Sequence, residues 1–250
     1  MHTERVAIVT GSTSGIGLAV AKELLVQGYR VIINGRRRSK VDETIENLSK
    51  EFGVTVQGVV GDTSDRNVCK ELARVADEHY GILHAVVHVP AVRPAREFAD
   101  ITEEEWDQVL NVNLKSLYHL AKATVDALVA SGSGRLVAFS GATAFSGRRL
   151  GAHVAASKWG VVGLVRSIAY EYGLHGLTAN VMVPGPIEKD DPVEEQSATH
   201  ARHRPWRTLP LVGRFGRPQE VAAAVAYLVS ANAGFVTGQS IHVNGGSEFY

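Results

Sequence analysis

The chain has 250 residues, and 26 Lys plus Arg balance 26 Asp plus Glu, so the formal net charge is zero. A hydrophobic share of 45% with 21% charged residues describes a soluble globular protein large enough for a sizeable core. Zero net charge gives no electrostatic ground for nucleic acid or an anionic membrane as partner, and no apolar run approaches membrane-spanning length.

Taken in order, the opening "MHTERVAIVTG" matches neither a signal nor a transit peptide. With Cys69 as the single cysteine, it leads us to expect a reducing, cytoplasmic location. β-Branched runs at 5–10, 30–34, 54–60, 83–89, 135–140, 177–183 and 240–243 predict strands, near-continuously apolar as strands buried on both faces are. Helical patterns run between them, among them 16–27, 104–130, 152–172 and 218–230. In the first, Leu18, Ala21 and Leu25 form one stripe and Gly28 supplies a stop. This alternation predicts one α/β domain over 1–250, a Rossmann-type doubly wound parallel sheet with helices on both faces. The long irregular stretch 184–216, rich in Pro, Gly and charge, reads as a binding loop.

"TGSTSGIG" (10–17) follows the first strand directly and opens the first helix. Gly11, Gly15 and Gly17 permit the tight turn, close backbone approach and close packing that a pyrophosphate on a helix N-terminus requires. Ser12, Thr13, Ser14 and Ile16 complete that candidate cradle, and its strand–turn–helix context makes it more telling than the glycines alone.

This T-G-x-x-x-G-x-G spacing resembles the short-chain dehydrogenase/reductase family, and the resemblance runs over nearly the whole chain. "GDTSD" (61–65) is similar to the family segment that meets the adenine, which implies Asp62 and the adjoining Thr63. "WDQVLNVNLKSLYHLAKA" (106–123) resembles the helix whose asparagine, here Asn113, holds an ordered water. "PGPI" (184–187) resembles the loop that packs on the nicotinamide, implying Pro184, Gly185 and Ile187, and residues 213–246 match the family's C-terminal region. The family covers its substrate with the segment that here falls at about 186–212, and it commonly forms tetramers through its two long helices and its C-terminal strand region. A homotetramer is therefore implied. At the end of the second predicted strand "NGRRR" (34–38) offers no acid for a ribose 2′-hydroxyl, whereas Arg36 or Arg37 can pair with a 2′-phosphate. NADP(H) is expected over NAD(H), and no metal site is expected.

The family's chemistry uses Ser, Tyr and Lys with a supporting Asn. Asn113 and Lys158 match that pattern, Lys158 also as the residue that holds the nicotinamide ribose, but Val154 stands at the tyrosine position and Gly141 at the serine position. "HVPA" (88–91) replaces the family's Asn-Asn-Ala-Gly. A valine transfers no proton. Ser140 and His153 share the thirteen-residue spacing of Gly141 and Val154. Yet about 100° separates successive helix residues, which puts 154 and not 153 on the Lys158 face. His153 is a candidate only if the helix start is rewound, and is otherwise a surface or interface histidine. His88, at the carboxyl end of a strand, is a candidate acid or base, or a structural replacement for asparagine.

In the lid, His200, Arg202, His203, Arg204, Trp206 and Arg207 suit an acidic or aromatic small-molecule substrate, with a solvated loop as the alternative. Three function classes remain: an NADP-dependent oxidoreductase with a non-standard proton route, a non-redox cyclase, isomerase or lyase on the same scaffold, and a cofactor-binding pseudoenzyme.

Overall fold

A computed structural model describes residues 5–188 and 210–249. Among these residues seven strands form one sheet in the order β3-β2-β1-β4-β5-β6-β7, every neighbouring pair parallel. The strands are β1 (Arg5–Thr10), β2 (Tyr29–Gly35), β3 (Gln57–Val60), β4 (Ala85–His88), β5 (Arg135–Phe139), β6 (Thr178–Pro184) and β7 (Ser240–Val243). The helices are α1 (Gly15–Val26), α2 (Arg38–Phe52), α3 (Arg66–Tyr80), α4 (Glu103–Leu110), α5 (Ser116–Ala130), α6 (Thr143–Ser146), α7 (Ala152–Tyr172) and α8 (Pro218–Val229).

Alternate residues of each strand point to opposite faces, so the apolar runs feed two cores. Val6 and Ile8 pack with Leu72 of α3, Leu117 and Leu120 of α5 and Val165 of α7. Ala7 and Val9 pack with Leu24 of α1, Leu48 of α2 and Val225 of α8. The strand order reverses between β1 and β4, and ligands in such sheets bind beyond the carboxyl ends of the strands at that point.

Most expected elements shift by only a residue or so at an end, and three depart further or in kind. The third strand begins at Gln57, where pairing with Ile32 of β2 begins, and the fourth spans Ala85–His88 rather than 83–89. The helix expected over 104–130 is interrupted at Asn111–Lys115 by a π-helical turn, a wider turn found often at functional sites. The long insertion is closed at its base by a parallel bridge between Ile187 and Gly216, with Glu188 N donating to Gly216 O at 2.8 Å. His200, Arg202, His203, Arg204, Trp206 and Arg207 lie outside the described residues.

Candidate active site

The turn between β1 and α1 is built for close approach. Gly11 has φ +65°, and a Cβ there would stand 3.2 Å from Pro90 Cγ, so the "HVPA" segment packs directly on the turn. A Cβ on Gly17 would lie 2.1 Å from Gly11 O, inside any possible contact. Buried Ser12 fixes the turn by donating from Oγ to Val9 O at 2.7 Å and accepting from Asn34 N at 3.0 Å. Asn34 donates onward to Val59 O (3.0 Å) and Gly61 O (3.1 Å), which ties the turn to the end of β3. There Asp62 Oδ1 accepts from Ser64 N at 2.9 Å, and Thr63 is buried. The Ser14 side chain does not cap α1 and no acidic residue lies in its first turn, so nothing within the helix itself offsets the positive end of its dipole. Arg36 and Arg37 are exposed at the end of β2. Across the crevice Pro184 ends β6, Gly185 N donates to Val243 O at 2.9 Å, and a Cβ on Gly185 would clash with Asn244 Cα at 2.6 Å.

His88 sits at the switch point, fully enclosed. Its Nε2 is 2.8 Å from Ser116 Oγ and its Nδ1 is 2.9 Å from Thr10 Oγ1. Ser116 spends its own proton on Val112 O at 2.6 Å, so its oxygen accepts from Nε2–H, and Nδ1 in turn accepts from the Thr10 hydroxyl. That assignment is the one for a neutral ring, the form that burial favours. Burial first, then the Lys158 charge, push the His88 pKa down to about 3, against a smaller opposing effect of Asp62.

Asn113 is buried within the π-helical turn. Its Oδ1 accepts from Val92 N (2.8 Å), while Nδ2 donates to Val92 O (3.0 Å) and to Ser157 Oγ (3.0 Å). It thus clamps the loop after β4 to α7.

The first turn of α7 is regular, with Ala155 N bonded to Gly151 O at 2.9 Å, and Ser157 Oγ donates to Val154 O. Val154 is buried, and Lys158 follows it by four residues. Lys158 Nζ donates to Phe139 O at 2.7 Å, and Ser140 Oγ donates to Lys158 O at 2.9 Å. Burial, followed by the nearby charge of Arg93, brings the Lys158 pKa down to about 7. A Cβ on Gly141 would meet nothing nearer than Thr143 Oγ1 at 3.8 Å, so a serine fits there.

The expectation of His153 as a surface histidine is corrected. Its side chain is fully buried, because α7 packs on α4 at this level; Glu105 Oε1 lies 3.6 Å from Nε2, and neither ring nitrogen has a hydrogen-bond partner among the described residues.

Sequence reasoning passed over Arg93, Thr10, Ser116 and Ser157. Arg93 lies two residues beyond the quoted "HVPA", and Ser116 three residues beyond Asn113. Only the parallel pairing of β1 with β4 brings Thr10 to His88.

Among the described residues no group of three or more His, Cys, Asp or Glu side chains is placed to hold a metal ion, and no helix is long and apolar enough to cross a membrane. Comparison with known proteins places residues 11–248 in a family model described as enoyl-(acyl carrier protein) reductase. The chain is 33% identical to a ketoacyl reductase assigned to the monensin polyketide synthase of Streptomyces virginiae, over 98% of this chain and 97% of the relative. It is also 33% identical to the 3-oxoacyl-(acyl-carrier-protein) reductase FabG of Haemophilus influenzae, over 97% of each chain. The FabG of Staphylococcus aureus is 30% identical, over 98% of this chain and 99% of that one.

Proposed function

The chain belongs to the short-chain dehydrogenase/reductase family, and from that premise we propose that it is an NADP(H)-dependent oxidoreductase of a small carbonyl substrate in which Lys158 moves the proton. The observation that carries this reading is the turn at residues 11–17. Gly17 against Gly11 O and the uncapped start of α1 fit a pyrophosphate that comes close to the backbone. The residues that would hold the cofactor are Gly11, Ser12, Thr13, Ser14, Gly15, Ile16 and Gly17 at the pyrophosphate, with Asp62 and Thr63 toward the adenine. Pro184, Gly185 and Ile187 would pack on the nicotinamide. Arg36 or Arg37 would take the 2′-phosphate, since both are exposed and pair with no carboxylate among the described residues. The bound nicotinamide supplies the hydride that the carbonyl carbon accepts.

The carbonyl oxygen then needs one proton, and Val154 has none to give. Lys158 stands on the same helix face, and with a pKa near 7 its ammonium releases a proton at neutral pH. One of its three N–H donors is held by Phe139 O, which fixes the head group while two remain. Delivery leaves a neutral amine that solvent reprotonates. Asn113 is a positioning residue, since its bonds fix the loop after β4 against α7. His88 is structural, with both ring nitrogens engaged, and His153 is structural between α7 and α4.

The three relatives are all named as reductases, which weighs against a non-redox enzyme or a pseudoenzyme. We also propose a homotetramer. Tyr118 on α5, Trp159 and Tyr170 on α7 and Phe235 before β7 are large apolar side chains left exposed, on the two long helices and the C-terminal region expected to pair. Sedimentation equilibrium giving a monomer would contradict that.

The test of function is to titrate NADPH, then follow its oxidation with 3-oxo compounds. Micromolar binding with turnover is expected, and no binding at high micromolar concentration would overturn the reading.

A further inference from the structure

Four arginines stand close together in the fold: Arg93 and Arg96 on the loop after β4, Arg148 and Arg149 just before α7. Arg96 and Arg149 each face a carboxylate. Arg96 Nε lies 2.9 Å from Glu105 Oε2, and Arg149 Nη2 lies 3.8 Å from Glu97 Oε1. Arg148 Nη2 reaches Arg93 O at 3.5 Å. With Glu97 and Glu105 taken, no carboxylate among the described residues pairs with the guanidinium of Arg93.

The backbone at Arg93 is anchored. Its neighbour Val92 is held through both backbone groups by Asn113, and Arg96 N donates to Leu150 O at 2.9 Å, so the loop is anchored on both sides of Arg93. The side chain is exposed, so its guanidinium is open to a ligand. Its charge also reaches Lys158. Asn113, which holds Val92, also bonds Ser157 beside Lys158, so the loop that carries Arg93 is tied to the segment that carries Lys158. Neither cation pairs with a carboxylate among the described residues, and an anion there relieves their mutual repulsion.

We propose that Arg93 selects the substrate by pairing its guanidinium with the carboxylate of an oxo acid whose carbonyl is presented to Lys158, an assignment that rests on the reductase reading above. The planar fork of arginine matches a carboxylate with two parallel hydrogen bonds, which a lysine does not reproduce. The pairing has a second effect. A carboxylate on Arg93 offsets the charge that disfavours the Lys158 ammonium, so an acidic substrate helps to keep its own proton donor charged.

The test compares acetoacetate with methyl acetoacetate, using NADPH and the full chain. Wild type should favour the acid by roughly 10- to 100-fold in kcat/KM, the usual weight of a charged hydrogen-bonded pair. Arg93→Gln should abolish the preference, and Arg93→Lys should restore part of it. Calorimetry with malonate on the NADP-loaded protein gives a readout free of turnover, and Arg93→Gln should weaken binding at least about tenfold. Equal use of acid and ester by wild type, a preference that survives Arg93→Gln, or malonate binding that is absent or unmoved would each overturn the assignment. Arg93-dependent malonate binding without turnover of either compound would keep the anion site and reject the reductase reading.

Discussion

Replacing His88 by asparagine changes how the protein responds to acid. In the folded chain His88 has a pKa of about 3, against an ordinary value of 6.5. Between those values the unfolded chain binds the proton and the folded chain does not. Stability is therefore lost as pH falls from 6.5 toward 3, and the effect is flat above and below that window. Each unit is worth about 1.4 kcal/mol, so at pH 4.5 this residue alone removes roughly 3 kcal/mol. His88→Asn abolishes the titration but gives up ring packing and one of the bonds to Thr10 and Ser116, at a cost of about 1–3 kcal/mol at pH 7. The variant should be less stable than wild type at pH 7 and equal to it or better at pH 4.5. Urea unfolding at several pH values measures the difference, and other titrating groups cancel between the two proteins. Parallel pH profiles would show that the ring is not held neutral and would refute the structural role.

Gly17→Ala should weaken NADPH binding at least about tenfold by fluorescence titration, because its methyl meets Gly11 O and must deform the cradle. Arg36→Ala should narrow the preference for NADP(H) over NAD(H), whereas unchanged binding of both would leave Arg37 to hold the 2′-phosphate. In the reducing direction kcat/KM should be highest at low pH and fall as pH rises through about 7, because Lys158 must be protonated. A flat profile in wild type would remove Lys158 as donor. Gly141→Ser with Val154→Tyr should raise the reduction of generic ketones by roughly 10²–10⁴-fold if the remaining site is intact, measured by NADPH oxidation.

The sheet and its glycine-rich turn were legible because they rest on local signals. Buried strands such as Val6–Val9 are apolar throughout, and a glycine at a positive φ, such as Gly11, has few substitutes. The helical period also separated Val154 from His153, and the regular start of α7 agrees with it. The surroundings of each site residue were not legible, because they are set by elements distant in sequence. His88 bonds to Thr10, 78 residues away, and His153 is buried because Glu105 of α4 lies across from it. Arg93 looked like any loop cation. Its significance appears only when Glu97 and Glu105 are seen to be occupied by other arginines.

The central claim is hydride reduction with Lys158 as proton donor, and one labelling experiment tests both parts. The protein is loaded with NADPH deuterated at the transferring position of C4, mixed with acetoacetate for a single turnover, and the product is read by mass spectrometry. Deuterium is expected on the carbinol carbon in wild type, with its loss, roughly 10²-fold or more in rate, in Lys158→Met that still binds NADPH. Bound cofactor with no label in the product, or labelling at the wild-type rate in Lys158→Met, would contradict it.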